Sequence, residues 1–197
     1  TIGSRPPIHQ SSITASHYAL DSHAVRKREE GRVHLDGFLS YPSAVYTVPY
    51  GVMVPKEVDN LLLPVPVSGS HIRFSTLRME PCWMAMGQAA GIASALSIDG
   101  KVKVQNIALS RLQDKLIDQK ATLMYFKDVD YMSPHFRMVQ YLGLRGYLPE
   151  WTARLQEPVD MATLTAWKKL SGKDLPGIEA GKTTRLVALK MIYRKIK

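Results

Sequence analysis

Cys82 is the only cysteine among 197 residues, which excludes an intrachain disulfide and any cysteine-built zinc fold. A lone thiol inside an apolar stretch reads as a small buried hydrophobe, and only a lowered pKa with solvent access would make it a nucleophile. Acidic residues are few as well: 17 Asp and Glu face 26 Lys and Arg, for a formal charge of +9. There is no G-x-G-x-x-G on a strand-turn-helix unit with an acidic residue about twenty positions further on, so the usual cradle for a dinucleotide pyrophosphate is missing. His9, His17, His23 and His34 share the first part of the chain, but their spacing matches neither a helical pair nor a zinc signature, and no metal site is predicted. Residues 81–98 carry no charge. Gln88, Ser94, Ser97, two glycines and several alanines nevertheless make that run too weakly hydrophobic for a membrane span.

A hydrophobic content of 45% can bury a real core, in one large or two small domains. The positive excess is uneven, clustering at Arg26, Lys27 and Arg28 and again from Lys168 to Lys197. In the last helix Leu186, Leu189, Ile192 and Ile196 recur at helical spacing, while Lys182, Arg185, Lys190, Arg194 and Lys195 occupy the other faces. Basic amphipathic helices can meet nucleic acid, anionic lipid or acidic polysaccharide, or simply dock an apolar stripe and leave the lysines in water. No nucleic-acid motif or stacking-aromatic pattern accompanies this charge, so a nucleic-acid partner is not expected.

The richest stretch is NLLLPVPVSGSHIRFSTLRMEPCWMAMGQAAG, residues 60–91. Leu61 to Val67 is apolar and predicts a short buried strand, although Pro64 and Pro66 cannot donate to a ladder. Ser68, Gly69 and Ser70 follow as a turn whose backbone can approach a ligand closely, and Pro81 marks the first turn of a helix. A helix N-terminus there would offer free N–H groups and a dipole to an anion. The absence of charge through Ile98 predicts a helix buried against something. Gly87 and Gly91 lie on one face, admitting either a planar ligand or a packed strand; each costs roughly 1 kcal/mol in helix propensity.

The first segment, HYALDSHAVRKREEGRVHLDGF, predicts short strands around a turn at Glu30-Gly31, with Asp21 placed to orient His23. After Asp99-Gly100 ends the long helix, Val102 and Val104 alternate as a short strand. Gln105-Asn106 then starts an amphipathic helix on Ile107, Leu109, Leu112, Leu116 and Ile117. Ser133-Pro134 opens a helix carrying Phe136, Val139, Tyr141 and Leu142, closed by Gly143 to Gly146. Another follows Pro158 with Met161, Leu164, Trp167 and Leu170 inward. The expected fold is α+β and mainly helical: short strands and a buried helix completing a cofactor domain, then a C-terminal helical bundle. Its divisions are a substrate-domain remnant over 1–44, the returning part of a cofactor domain over 45–104, and a helical unit over 105–197.

The words NLLLPVPVSGSH, STLRMEP and MAMGQAAG, with HYALDSHAVRK and YTVPYGVMVPKEVDN before them, resemble the C-terminal part of an FAD-dependent oxidoreductase family of Bacteroidetes. Its members are often labelled putative xanthan lyases. The resemblance runs from about Ile13 to Leu148. It implies FAD as cofactor, a periplasmic or extracellular setting, and a chain that returns from a substrate domain to complete the FAD domain. It further implies that Ser68, Arg78, Glu80, Pro81, Gly87, Gln88 and Gly91 lie beside the flavin and its phosphates, with His23 and His71 as the catalytic candidates. Because the dinucleotide motif is missing, the chain reads as a C-terminal portion of a longer protein that binds FAD weakly or not at all, and is inactive, by itself. Its expected partners are the missing N-terminal part, a small-molecule or saccharide substrate, and a second copy meeting open strand edges.

Residues 126–172 are also similar in part to an S-layer homology repeat, a glycan-binding module, with Asp160-Met161 in place of that family's Arg-Glu pair. The alternative there is a plain helical appendage. Two function classes therefore stand: a piece of a flavin oxidoreductase in which the cofactor does the redox chemistry, or a polysaccharide lyase or glycan-binding module, which would need a base and a carboxylate-neutralising cation.

Overall fold

The computed structural model describes residues 10–22 and 39–197, and the architecture is α+β and mainly helical. Strand β1 (Ser12–Ser16) pairs antiparallel with β4 (Tyr46–Pro49), Thr14 opposite Val48 and Ser16 opposite Tyr46, with an irregularity between Ser12 and Thr14. Tyr46 and Val48 turn inward and their neighbours do not, the alternation expected of a strand with one covered face. The other edge of β1 is also engaged: Ala15 N donates to Thr122 O at 2.9 Å, and Ser12 Oγ to Leu123 O at 2.8 Å. Strands β2 (Leu20–Ser22) and β3 (Leu39–Tyr41) pair antiparallel, Leu20 opposite Tyr41 and Ser22 opposite Leu39. The turn expected at Glu30-Gly31 lies outside the described residues.

Residues 61–67 form no strand. Pro64 and Pro66 bring no donors, and the available N–H groups turn to a preceding 3₁₀ turn, Tyr50–Met53. Leu63 N donates to Met53 O and Ser68 N to Val52 O, each at 2.8 Å, so the segment is an anchored loop. It leads into a helix that the sequence reading lacked, α1 (His71–Leu77), capped by Ser70 Oγ accepting from Arg73 N at 3.3 Å.

Helix α2 (Glu80–Gly100) has Pro81 in its first turn, as predicted. Lys101, not Gly100, takes the left-handed position that closes it, at φ 49°. Val102 does not begin a strand, because Val102 N donates to Ser97 O at 3.0 Å and Ser97 Oγ to Val102 O at 2.5 Å, folding the chain back on the helix end. A 3₁₀ turn at Val104–Asn106 follows, then α3 (Leu109–Asp118). Gln105 does not start α3; it ties down the preceding loop by donating to Val58 O at 3.0 Å.

The remaining helices are α4 (Phe136–Leu144), α5 (Met161–Ser171) and α6 (Arg185–Ile196). Asp160 Oδ1 and Thr184 Oγ1 cap the last two, and a bridge between Pro158 and Thr184 holds their starts together. Helix α5 buries Leu164 and Trp167, but Met161 and Leu170, expected inward, are exposed. One continuous core runs from Ile13 and Val48 through Met86, Ala93, Leu112 and Leu116 to Phe136, Leu142, Trp167 and Ile192.

Candidate cofactor site

Helix α2 dominates this region. Its inner face, Cys82, Met86, Ala89, Ala93 and Leu96, packs toward β1 and α3. Burial pushes the Cys82 thiol pKa up, a hydrogen bond with Ser16 only partly opposing it, so the group is a buried hydrophobe and not a nucleophile. The burial expected from the absence of charge holds for this one face only. Met84, Gly87, Gln88, Gly91, Ser94, Ala95 and Ile98 form a second face that is exposed, with Met84 and Ile98 each 75% accessible. A Cβ placed on Gly87 or Gly91 would meet nothing within 4 Å. Neither glycine is explained by packing among the described residues.

The other candidate residues fall into two groups. Ser68 lies in the exposed loop before α1, and His71 is the first residue of that helix. Arg78 ends α1, and Glu80 and Pro81 begin α2, both exposed. The Ser68–Ser70 turn therefore feeds α1, not the N-terminus at Pro81 as the sequence suggested. The nearest members of the helix-start group and the glycine face, Pro81 and Gly87, lie six positions apart on α2, about 9 Å at the normal rise. Gln88 Nε2 donates to Gln119 Oε1 at 2.9 Å, linking the open face to the end of α3. His23 lies outside the described residues.

Arg78 has a partner that the sequence reading assigned elsewhere. Its Nη2 donates to Asp21 Oδ1 at 2.6 Å, and Tyr18 Oη donates to Asp21 Oδ2 at 3.2 Å. The hydrogen bond to Asp21 raises the guanidinium pKa further, so Arg78 is a fixed cation. Asp21, read from sequence as an orienter of His23, thus binds Arg78 and Tyr18; strand spacing alone could not reveal a helix arriving from 57 residues away.

The fit to FAD differs between the two ends. The open glycine face of α2 has room for a planar ring. The start of α2 is a poorer place for phosphate, since Glu80 stands in the first turn and already answers the helix dipole with its own negative charge. Among the described residues no three His, Cys, Asp or Glu side chains converge as metal ligands, and no helix is long and apolar enough to cross a membrane.

Helix α2 thus has one inward and one open uncharged face, with the fixed Arg78 just before its start. The family model described as FAD dependent oxidoreductase matches residues 5–116, more than half of the chain. The chain belongs to that family. No curated protein and no solved structure is detectably similar to it.

Proposed function

We propose that this chain forms the C-terminal wall of the FAD site in a flavin-dependent oxidoreductase, with the Met84–Ile98 face of α2 lying against the flavin or the polypeptide that carries it. The observation that carries this reading is the open, charge-free glycine face of α2 within the segment that matches the family. Met84 and Ile98, each 75% accessible, bracket this charge-free face and support its being covered in the complete flavoprotein. Bound there, the flavin would accept the hydride and supply the redox chemistry.

The chain's own residues would orient and exclude. Gly87 and Gly91 permit close approach of the backbone, and the Gln88 amide fixes the rim through Gln119. Arg78, held by Asp21, places positive charge at the corner between α1 and α2. His71 and His23 are the candidates for substrate contact or proton transfer. The pyrophosphate would be held by a dinucleotide-binding segment that this sequence does not contain, and the substrate class we favour is carbohydrate-derived.

The test uses this chain together with the dinucleotide-binding polypeptide of the same oxidoreductase, purified and reconstituted with FAD. Bound flavin absorbance should be present, and Gly87→Leu should abolish it without lowering the helix content. A colourless complex, or a Gly87→Leu variant that retains full flavin, overturns the reading. Unchanged flavin affinity in His71→Ala and Arg78→Ala would remove those two residues from the site.

A further inference from the structure

A groove of about 710 Å³, with no α2 residue in its lining, lies where the start of β1 and α3 meet the C-terminal ends of α4, α5 and α6. Its volume is within the usual range for small-molecule sites, about 300–1,000 Å³. Leu144, Leu170 and Ile196 supply apolar wall, and Gln113, Arg145 and Tyr147 supply polar groups.

Each of these three polar side chains is held in place with hydrogen-bonding capacity left over. Arg145 Nη1 donates to Tyr141 O at 3.0 Å, and its guanidinium sits 3.5 Å from the Tyr141 ring centroid. No carboxylate pairs with it among the described residues, so Nε and Nη2 remain as donors. Gln113 is 6% exposed, and its Nε2 donates to Gln10 O at 2.6 Å and Ser12 O at 3.1 Å. Both amide hydrogens are thereby used, which fixes the orientation and leaves Oε1 without a donor among the described residues. Tyr147 is buried as a residue, and its Oη, which has no hydrogen-bond partner among the described residues, is not itself a buried atom and is free to meet a molecule in the groove.

The lining favours an anion: Arg145 is the one charged side chain among the residues that line the groove, and no carboxylate lines it. Burial also raises the Tyr147 pKa, keeping the phenol neutral and able to donate near neutral pH.

We infer that this groove binds a small hydroxycarboxylate, its carboxylate on the free edge of Arg145 and a neighbouring hydroxyl between Tyr147 Oη and Gln113 Oε1. A guanidinium edge matches a carboxylate in two parallel hydrogen bonds. The hydroxyl requirement follows from pairing an unused acceptor with an unused phenol, and the three aliphatic side chains cover the carbon skeleton. None of these residues belongs to the proposed flavin wall, so the two readings stand or fall separately.

Calorimetric titration of the chain tests it with four probes: gluconate, its neutral counterpart sorbitol, hexanoate without hydroxyls, and inorganic phosphate. Gluconate should bind, with sorbitol and hexanoate at least about tenfold weaker, the scale of one lost charge-assisted contact. Arg145→Gln should weaken gluconate about tenfold or more, and Tyr147→Phe, which keeps the packed ring, about three- to tenfold. Should Arg145→Gln fail to fold by circular dichroism, Tyr147→Phe decides alone. Sorbitol or phosphate binding as tightly as gluconate, or gluconate affinity unchanged in Tyr147→Phe, overturns the assignment.

Discussion

Arg78 Nη2 lies 2.6 Å from Asp21 Oδ1, and this pair joins the end of α1 to β2. The Arg78 guanidinium also stands 5.7 Å from the Tyr18 ring centroid, so one cation serves a carboxylate and an aromatic face. Both partners keep some water contact, with side-chain accessibilities of 31% and 14%, which limits the strength of the pair. Asp21→Asn should lower stability by about 1 kcal/mol in a urea titration, with the slope unchanged. No change in the midpoint would show that the contact is incidental.

Gln140 is fully buried in α4 and works as a bracket for the chain beside it. Its Oε1 accepts from Leu123 N at 2.9 Å and Met124 N at 2.8 Å, and its Nε2 donates to Met124 O at 2.7 Å. Gln140→Leu fills the volume but strands two donors and an acceptor in the core, for a predicted loss of about 2–4 kcal/mol. Thermal unfolding with a matched surface control measures it; a loss below about 0.5 kcal/mol would mean that water or a rearranged loop takes over the three bonds.

Tyr50 sets a limit on the alkaline side. Its Oη donates to Val104 O at 2.9 Å, and burial pushes its pKa up to about 12 from 10.0. The unfolded chain loses this proton near pH 10 while the folded chain keeps it, so fewer protons are bound in the unfolded state across that window. Stability therefore falls as pH rises from 10 toward 12, by about 1–3 kcal/mol from this group. Burial raises the Tyr46 and Tyr147 values too, adding to the slope. Tyr50→Phe should be less stable at neutral pH, through loss of the bond to Val104 O, and should show a shallower decline above pH 10. Parallel curves for the two proteins would contradict the assignment.

How far the sequence could be read depended on which forces were local. The Pro81 start, the helical spacing of apolar residues in α3 and α6, and a helix following Pro158 depend on neighbours within a turn or two, and they appear at the expected places. The apolar composition of residues 61–67 suits a strand, but its two prolines deny it a ladder, and the prolines decide the outcome. Helix α1 went unseen because it has only seven residues and no apolar periodicity, although Ser70 three positions before Arg73 was the signal of a cap. At the candidate site, Gly87, Gln88 and Gly91 share a helical face that their spacing alone specifies. The Arg78–Asp21 pairing and the meeting of Gln113 with Arg145 and Tyr147 are tertiary, and no local pattern encodes them.

Three glycines in helices test whether α2 is shaped for its own fold or for something that covers it. In α4, a Cβ on Gly143 would lie 3.0 Å from Phe126 Cζ and 3.1 Å from Met124 Sδ, so this glycine is required by packing. Gly143→Ala should therefore lose about 1–2 kcal/mol despite the better helix propensity of alanine, since overpacking costs more than propensity returns. On α2 the same substitution meets open space at Gly87 and Gly91. Each should raise the stability of this chain by about 0.5–1 kcal/mol, because alanine restricts the unfolded state and clashes with nothing. If the open face receives the flavin or its carrier, the Gly87→Ala, Gly91→Ala double variant should gain stability as this chain yet lose flavin in the complex with the dinucleotide-binding polypeptide. Such opposite signs are expected where a residue is kept for function at the expense of the fold. Chemical denaturation of the chain and flavin absorbance of the complex supply the two readings, and a double variant that is both more stable and fully flavinylated would show that these glycines serve neither.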